Sequence, residues 1–395
     1  MQKLREIERL RACAVLMVMV VHWDAAKPFL PEVARMPWTG VDLFFVISGF
    51  VVTLSLVRLL PPLEGASSFV AALSEAAPAL RTFYARRFFR ILPAALAAAI
   101  LYRELNVVFP EYGALDEWTH EVIAFFGGVY NYGFAFHPAN CKLGVYWSLS
   151  VEEHFYLILP VLFVLLRTTD RRLVGCAVVA GVSIACRLLP VPAGADLHNW
   201  EKFSSHLRFD SLMAGVALAL LTSRNIGRPI VPRGWIRFLF VPGLLLLVMC
   251  LPQTAPDEVL NHVGLVAIWA LAACLVSFAA KDRGYVLQFP VVGRVLEVLG
   301  ARSYALYLLH MAALWIDRSL NTRWPRYAAW IAQDSPHAPW RQLVFLLGVA
   351  LVLAEILHRV VERPCIALGR RRIDRARSQL ALSGGPESGS GIGAT

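Results

Sequence analysis

Residues 39–60 read TGVDLFFVISGFVVTLSLVRLL, a stretch in which only Asp42 and Arg58 are ionisable. A helix needs about 20 mostly apolar residues to cross the hydrocarbon core of a bilayer. The stretch therefore predicts a membrane-spanning helix. Its interior polar residues, Asp42 and Ser48, would need partners or a function inside the membrane, because polar groups are costly there.

The same apolar character extends along the whole chain of 395 residues. Its composition is 57% hydrophobic and 17% charged, whereas soluble domains carry about 25% charged residues. This composition excludes a water-soluble enzyme. It predicts one polytopic membrane domain over residues 1–368, followed by a tail, 369–395, that is first basic and then rich in Ser and Gly. From residue 378 onward we expect the tail to be disordered.

The chain is basic, with a formal net charge of +10. The basic residues lie between apolar segments, as topology signals do, so we expect contact with a lipid bilayer and no nucleic-acid partner. The seven cysteines show no C-x-x-C or Cys/His spacing, and we predict no metal site. The apolar run 12–23 is followed by no small-residue cleavage site, so it is expected to be a retained first span.

Ten apolar segments are candidate spans, and together they predict an all-α bundle of about ten transmembrane helices. They lie at 8–26, 39–60, 88–109, 144–167, 173–190, 206–223, 237–252, 260–280, 296–316 and 341–362. A weaker run at 120–136 contains Gly127, Gly128 and Asn131. We expect this run to be re-entrant or interfacial.

The distribution of arginines predicts that both termini are cytoplasmic. With the N-terminus inside, the loops after the second, fourth, sixth and eighth spans all face the cytoplasm, and all carry basic clusters. The opposite loop 253–261 has no Lys or Arg, although Arg318, Arg323 and Arg326 break the pattern. Counting 120–136 as an eleventh span would invert every later loop.

Arg11 and His22 are the first pair of ionisable residues near a predicted span. They are eleven residues apart, so on a helix they share one face and lie about 16 Å apart along its axis. Arg11 would lie at the cytoplasmic mouth and His22 in the outer half of the membrane. Alternatively, Arg11 is only a topology anchor and His22 reaches the outer surface.

The stretch YWSLSVEEHFY, 146–156, places two carboxylates near the outer end of the fourth predicted span. Ser148, Glu152 and Tyr156 share one stripe, and Glu153 points about 100° away. The predicted depth of Glu152 matches that of His22, and a carboxylate beside an imidazole orients a general base. Alternatively, this is a polar helix end with a Ser cap and dipole-favoured Glu.

The stretch YARRFFRILP, 84–93, lies at the cytoplasmic entrance to the third predicted span and contains Arg86, Arg87 and Arg90. Arg87 and Arg90 are neighbours on a helix face and can clamp a phosphate or pyrophosphate through forked hydrogen bonds. A membrane anchor or an anionic-lipid site is the alternative.

Two further groups of polar residues lie in or beside predicted spans. One is Arg208 with Asp210, which are close enough in sequence to form an ion pair. The other is Ser303, Tyr307 and His310, which share one side of the ninth span. Interhelical hydrogen bonds are the simpler role for Ser303 and Tyr307.

Taken together, these motifs resemble acyltransferase family 3, the integral-membrane O-acyltransferases. The motifs follow in order over residues 5–365: Arg11-x10-His22, GVDLFFVISGF at 40–50, Arg87-x-x-Arg90 before Pro93, WSLSVEEHFY at 147–156, Arg208-x-Asp210, Ser303 to His310, and Glu362-x-Pro364. His154 stands where similar sequences often carry Gln, and Cys13 where Gly or Ala is usual. The chain ends without the extracytoplasmic hydrolase-like domain of some members, so we expect any partner enzyme to be separate.

The resemblance implies transfer of an acyl group, most often acetyl, from cytoplasmic acyl-CoA to a hydroxyl of a glycan or glycosylated acceptor. It also implies a bacterial cytoplasmic membrane. In the resulting hypothesis, Arg11, Arg86, Arg87 and Arg90 hold the CoA phosphates. His22, oriented by Glu152, deprotonates the acceptor or forms an acyl-histidine. Candidate substrate-binding residues are Asp42, Ser48, Trp147, Glu153, Arg208, Asp210, Ser303, Tyr307 and His310.

A transporter or flippase is the competing class. In that case the His/Glu pair would relay protons and the basic mouth would bind an anionic or glycan substrate. No inverted repeat is visible in the sequence. A non-catalytic membrane scaffold is a third class, but it leaves the intramembrane charges unexplained.

Overall fold

The computed structural model describes residues 4–35, 37–109, 115–137, 143–195, 197–224, 236–254, 264–287, 289–331 and 337–383. It is 83% helical, and the described residues contain no strand. The predicted all-α fold is therefore confirmed.

The helices are numbered in chain order. They are α1 (Arg5–His22), α2 (Gly40–Val57), α3 (Phe69–Val108), α4 (Leu115–Phe126), α5 (Tyr130–Phe136), α6 (Tyr146–Leu165), α7 (Thr169–Cys186), α8 (Leu197–Phe203), α9 (Phe209–Ser223), α10 (Ile236–Thr254), α11 (Leu265–Ala279), α12 (Pro290–Ala301), α13 (Ser303–Arg323), α14 (Pro325–Trp330), α15 (Ala338–Leu357) and α16 (Arg363–Ser383). A π-helical turn, His358–Glu362, joins α15 to α16, and a 3₁₀ turn, Ser205–Leu207, precedes α9.

Among the residues that the structure describes, four helical segments are long and apolar enough to cross a membrane: α2, α3, α6 and the continuous segment Ala338–Ala376. The helices α9 and α11 and the segment Val241–Cys250 of α10 are shorter but also apolar. Outward-facing side chains such as Leu157, Val178 and Val352 are more than half exposed, as expected of a surface that contacts lipid. The chain is an integral-membrane helix bundle. The count of about ten crossings and the cytoplasmic termini stay predictions.

Helix α3 begins well before the predicted third span. It is a single helix of 40 residues. Its first turn is capped by the Ser68 side chain, which accepts a hydrogen bond from the Ala71 amide at 3.1 Å, and alanine-rich sequence favours continuation of the helix. The arginines of residues 86–90 therefore lie in the middle of a helix that begins before the predicted span, and their place at the cytoplasmic entrance to that span stays a prediction.

Two other predicted segments are each divided into two helices in the structure. The predicted span 296–316 is interrupted at Arg302, which separates α12 from α13. The run 120–136 contains parts of two short helices, α4 and α5, separated by a turn in which Gly128 has φ +72°. Neither helix alone has the length needed to span a bilayer.

The basic tail is helical where the structure describes it. Helix α16 continues to Ser383, so the prediction of disorder from residue 378 is wrong for 378–383. Gln, Leu and Ala in this segment favour helix. Residues 384–395 lie outside the described residues.

Glycines allow a close helix crossing between α2 and α9. A Cβ atom on Gly215 would overlap the Val46 carbonyl oxygen and lie 3.0 Å from the Gly49 Cα atom. Small residues allow such close backbone approach in membrane bundles. This crossing fixes the rotation of α2 and so the direction in which Ser48 and Phe44 point.

Candidate active site

A cavity of about 90 Å³ lies where α1, α2, α3, α6 and α13 meet. Many of its lining side chains are polar: Arg11, Ser48, Arg87, Arg90, Ser148, Glu152, Tyr156, Ser303, Tyr304 and Tyr307. The structure thus brings together seven of the candidate residues from five helices. We call this space the inner cavity.

Glu152 is the carboxylate of the inner cavity. It accepts hydrogen bonds from Ser48 Oγ at 2.5 Å and from Tyr156 OH at 2.7 Å. The Arg87 guanidinium lies 5.5 Å from the Tyr156 ring centre and 5.6 Å from that of Phe83, within cation–π range. Glu152 therefore provides negative charge among the cations of the cavity.

His22 is at the opposite end of α1 from Arg11, and its partner is another imidazole. His22 Nδ1 lies 2.9 Å from the Val18 carbonyl oxygen and 3.3 Å from His310 Nε2. His310 Nδ1 lies 2.8 Å from the Tyr307 carbonyl oxygen. Carbonyl oxygens only accept hydrogen bonds, so we assign a proton to Nδ1 of each ring.

This tautomer has a chemical consequence. The His22 Nδ1 proton is donated to the Val18 carbonyl oxygen, with His310 Nε2 as a second, longer acceptor, which leaves His22 Nε2 with a free lone pair. His310 is fully buried whereas His22 is exposed. His22 is thus an exposed residue whose Nδ1 is hydrogen-bonded and whose Nε2 carries a lone pair, and such an imidazole can act as a general base.

The predicted pairing of His22 with Glu152 is wrong. Glu152 is bonded to Ser48 and Tyr156, and His22 to Val18 and His310. The prediction assumed equal depth for the two residues. However, His22 is the last residue of α1, whereas Glu152 lies in the second turn of α6, and it faces the same cavity as Arg11.

Tyr307 stands between the inner cavity and the histidines. Its hydroxyl lies 2.6 Å from Ser148 Oγ. Its ring centre is 6.0 Å from that of Phe44 and 5.9 Å from that of His310. His22 does not line the inner cavity, so these side chains form the barrier between the two halves of the candidate site.

Asp42, Arg208 and Asp210 form buried ion pairs outside the inner cavity. Arg208 donates to Asp42 at 2.5 Å, and Arg187 donates to Asp210 at 2.6 Å. All four side chains are at most 1% exposed. The expected Arg208–Asp210 pair is therefore wrong, and these charges join α2, α7 and α9 instead.

Three other predicted residues lie away from the inner cavity. Arg86 is exposed, whereas Arg87 and Arg90 face inward; at 100° per residue, neighbouring residues cannot share a helix face. Trp147 packs edge-on against Phe45 and Phe203. Glu153 is absent from the cavity lining.

His154, the unusual residue of the 147–156 motif, has a connecting role. Its Nδ1 lies 2.6 Å from Ser205 Oγ and its Nε2 lies 2.6 Å from the Gly128 carbonyl oxygen. The ring therefore joins α6 to the turn between α4 and α5 and to the turn before α9.

A second, wider space of about 590 Å³ adjoins the inner cavity beside Arg11 and Arg90, where the sequence predicts a mouth lined by cations. We call it the vestibule. Arg11, Arg90, Ser303 and Tyr304 line both spaces. The remaining lining residues are Glu8, Gly300, Ala301, His358, Glu362, Arg363, Ile366, Ala367, Arg370 and Arg371. The residues that α16 contributes were not among the predicted site residues; the sequence signal for them is the basic run that begins at Arg370.

No group of three or more His, Cys, Asp or Glu side chains that could hold a metal ion occurs in the part of the chain that the structure describes.

An integral-membrane helix bundle with a cation-lined inner cavity and an exposed histidine is consistent with group transfer within the membrane. The chain belongs to acyltransferase family 3: the model of its acyltransferase domain matches residues 4–359. The class of the protein is therefore that of a membrane acyltransferase.

Three bacterial relatives are similar over most of this chain. Peptidoglycan O-acetyltransferase OatA of Listeria monocytogenes is 27% identical over 376 residues, which is 91% of this chain and 55% of the relative. Putative peptidoglycan O-acetyltransferase YrhL of Bacillus subtilis is 25% identical, over 93% of this chain and 56% of the relative. Putative O-acetyltransferase SACOL0978 of Staphylococcus aureus is 25% identical, over 91% and 56%.

The chain spans a little over half the length of these relatives. No solved structure matches it.

Proposed function

We propose that the protein is an O-acetyltransferase of a bacterial cytoplasmic membrane. It takes an acetyl group from acetyl-CoA on the cytoplasmic side and transfers it to a hydroxyl of a cell-surface glycan on the other side. The names of the relatives make peptidoglycan the first acceptor to test. The observation that carries the proposal is the arrangement of α1, which presents Arg11 to the inner cavity and ends at His22.

The donor enters from the Arg11 end in this proposal. The cations Arg11, Arg87 and Arg90 attract the phosphates of CoA, since guanidinium groups bind phosphates through charge-assisted hydrogen bonds. Arg86 has no part in this, because it is exposed away from the cavity. The acylated pantetheine arm then extends along α1 toward His22.

The barrier formed by Phe44 and Tyr307 must move for the thioester to reach His22. The two rings are 6.0 Å apart, and the Tyr307 hydroxyl is bonded to Ser148. A shift of these rings would join the inner cavity to the histidine pair. Acyl transfer would then require the bound donor to displace the Phe44 and Tyr307 rings.

His22 acts as the general base in the transfer step. Its Nε2 takes the proton of the acceptor hydroxyl as the hydroxyl oxygen attacks the thioester carbonyl carbon. A carbon–oxygen bond forms, the carbon–sulfur bond breaks, and the CoA thiolate leaves. The proton held on His22 passes to this thiolate, so the base is regenerated. His310 keeps the His22 ring in the required tautomer.

The test is transfer of radiolabelled acetyl from acetyl-CoA to a glycan acceptor in inside-out membrane vesicles. We expect label on the glycan with the wild type and none with His22→Ala. The exposed His120 on α4 provides the matched control, and His120→Ala should transfer label normally. Full transfer by His22→Ala would refute the base assignment. Release of unmodified solute without labelled glycan would favour the transporter class.

A further inference from the structure

The vestibule has an excess of positive charge. The cations among its lining residues are Arg11, Arg90, Arg363, Arg370 and Arg371, and the carboxylates are Glu8 and Glu362. Both carboxylates already have partners. Glu8 accepts from Arg11 at 3.2 Å, and Glu362 Oε2 lies 2.7 Å from His358 Nδ1.

The other four arginines of the vestibule have no ion-pair or hydrogen-bond partner among the described residues. Arg90 comes from α3, and Arg363, Arg370 and Arg371 come from α16. Like charges that converge on one space repel each other, and such a space attracts anions. The arrangement is that of a site for several phosphates.

Close packing holds the α16 arginines in place. A Cβ atom on Gly369 would come within 2.7 Å of the Phe89 ring, and the Arg372 guanidinium lies 5.8 Å from the centre of the same ring. Helix α16 is therefore docked on α3, the helix that also carries Arg87 and Arg90.

The sizes of the two spaces distinguish what each can hold. The inner cavity, at about 90 Å³, is too small for a nucleotide, whereas the vestibule, at about 590 Å³, falls within the range of small-molecule sites. Arg11 and Arg90 line both spaces, so a narrow chain attached to a nucleotide in the vestibule would enter the inner cavity past them.

We infer that the vestibule binds the nucleotide end of the acyl-CoA donor, with Arg363, Arg370 and Arg371 on its ribose 3′-phosphate, while the diphosphate next to pantetheine stays with Arg11, Arg87 and Arg90. This inference rests on the proposed function and assigns a role to α16. The headgroup phosphate of an anionic lipid has the same chemistry, so the experiment must separate the two sources.

The test compares two double variants in nanodiscs of neutral phosphatidylcholine. Arg370→Gln/Arg371→Gln removes two vestibule charges. The control, Arg171→Gln/Arg375→Gln, removes two charges from exposed arginines that do not line the vestibule and take no part in the contact between α16 and α3. The KM for acetyl-CoA and the KM for acetyl-4′-phosphopantetheine, which lacks the nucleotide, are measured for each.

We expect Arg370→Gln/Arg371→Gln to raise the KM for acetyl-CoA at least tenfold and to leave the KM for acetyl-4′-phosphopantetheine unchanged. The control should match the wild type with both donors, and all variants should keep the wild-type melting temperature. An unchanged KM, or an equal rise for both donors, would overturn the inference.

Two further outcomes separate the possible causes of failure. If the wild type does not use acetyl-CoA at all, the proposed function fails. If it uses acetyl-CoA normally and the double variant only loses a rate difference between anionic and neutral nanodiscs, the ligand is a lipid headgroup and the nucleotide inference is wrong.

Discussion

His310 Nε2 lies 3.3 Å from His22 Nδ1, and His310 is in turn held by the Tyr307 carbonyl oxygen. A buried imidazole thus acts with the Val18 carbonyl oxygen, 2.9 Å from the same nitrogen, to keep the proton on His22 Nδ1. The orienting group is neutral, not a carboxylate. When His22 takes up a proton, its positive charge is therefore not stabilised by an anion, because neither of its hydrogen-bond partners carries a negative charge.

The first prediction concerns the acceptor nitrogen of His310. His310→Leu introduces an apolar side chain of similar size and removes one of the two hydrogen-bond acceptors of His22 Nδ1, the other being the Val18 carbonyl oxygen. We expect kcat to fall about 10–100-fold, because a positioned base contributes about 10²–10⁴-fold. The KM for acetyl-CoA should be unchanged, since His310 does not line either donor space.

His310→Gln is the control, because its amide oxygen can accept from His22. It should retain more activity than His310→Leu at equal thermal stability. Equal kcat values for the two variants would contradict the proposed orienting role.

The second prediction concerns the independence of Glu152 and His310. Glu152 is bonded to Ser48 and Tyr156, and His310 to Tyr307 and His22. The two side chains share no hydrogen-bond partner. The effects of Glu152→Gln and His310→Gln on log kcat/KM should therefore add, within about 0.5 kcal/mol in a double-mutant cycle. A coupling free energy above about 1 kcal/mol would contradict this independence and indicate a direct interaction between Glu152 and the two histidines.

The third prediction concerns the crossing of α2 and α9. Gly215→Ala would place a methyl group against the Val46 carbonyl oxygen. We expect a loss of about 1–3 kcal/mol in folding free energy, because overpacking forces the helices apart. Gly181→Ala on α7 is the matched control, since nothing lies within 4 Å of its added Cβ atom. Thermal unfolding in detergent measures both, and equal melting temperatures would contradict the close crossing.

The fourth prediction concerns the pH dependence of stability. The Lys202 ammonium lies 5.5 Å from the ring centres of both Trp38 and Phe203. Burial, with a smaller effect of Arg208, lowers the pKa of Lys202 to about 8, against the opposing effect of Asp42. The unfolded chain keeps its lysine proton up to about pH 10.4.

Between about pH 8 and 10.4 the unfolded state therefore binds more protons than the folded state, so the Lys202 contribution to stability rises with pH. The expected rise is about 2–3 kcal/mol across this window. Below pH 8 both states are protonated and the contribution is flat. Lys202→Met should lack the rise, and Lys281→Met should keep it. Parallel pH curves of melting temperature for Lys202→Met and the wild type would contradict the assignment.

Local spacing was sufficient to predict part of the site. Arg87 and Arg90 are three residues apart, so the sequence predicts that they share one helix face, and in the structure that face lines the inner cavity. Arg11 and His22 lie on the same helix, at its opposite ends. These relationships depend only on the geometry of one helix.

Relationships between helices could not be predicted in the same way. The partner of Asp210 is Arg187 of α7, although Arg208 is closer in sequence, because the direction of a side chain depends on how α9 packs against its neighbours. The depth of Glu152 relative to His22 depends on the relative shift of α6 and α1. Hydropathy gives the extent of a span but not its axial shift against another helix.

Helix α3 has 40 residues, which at 1.5 Å per residue gives a rod of about 60 Å, twice the thickness of a hydrocarbon core. Such a rod must lean or protrude, and its inclination follows the lipid acyl-chain length. Arg90 lies on α3 and Arg11 lies on α1, so the tilt of α3 changes the distance between two arginines proposed to bind the donor. Bilayer thickness should therefore affect how tightly the donor binds. Acetyl transfer in vesicles of graded chain length should therefore pass through an optimum.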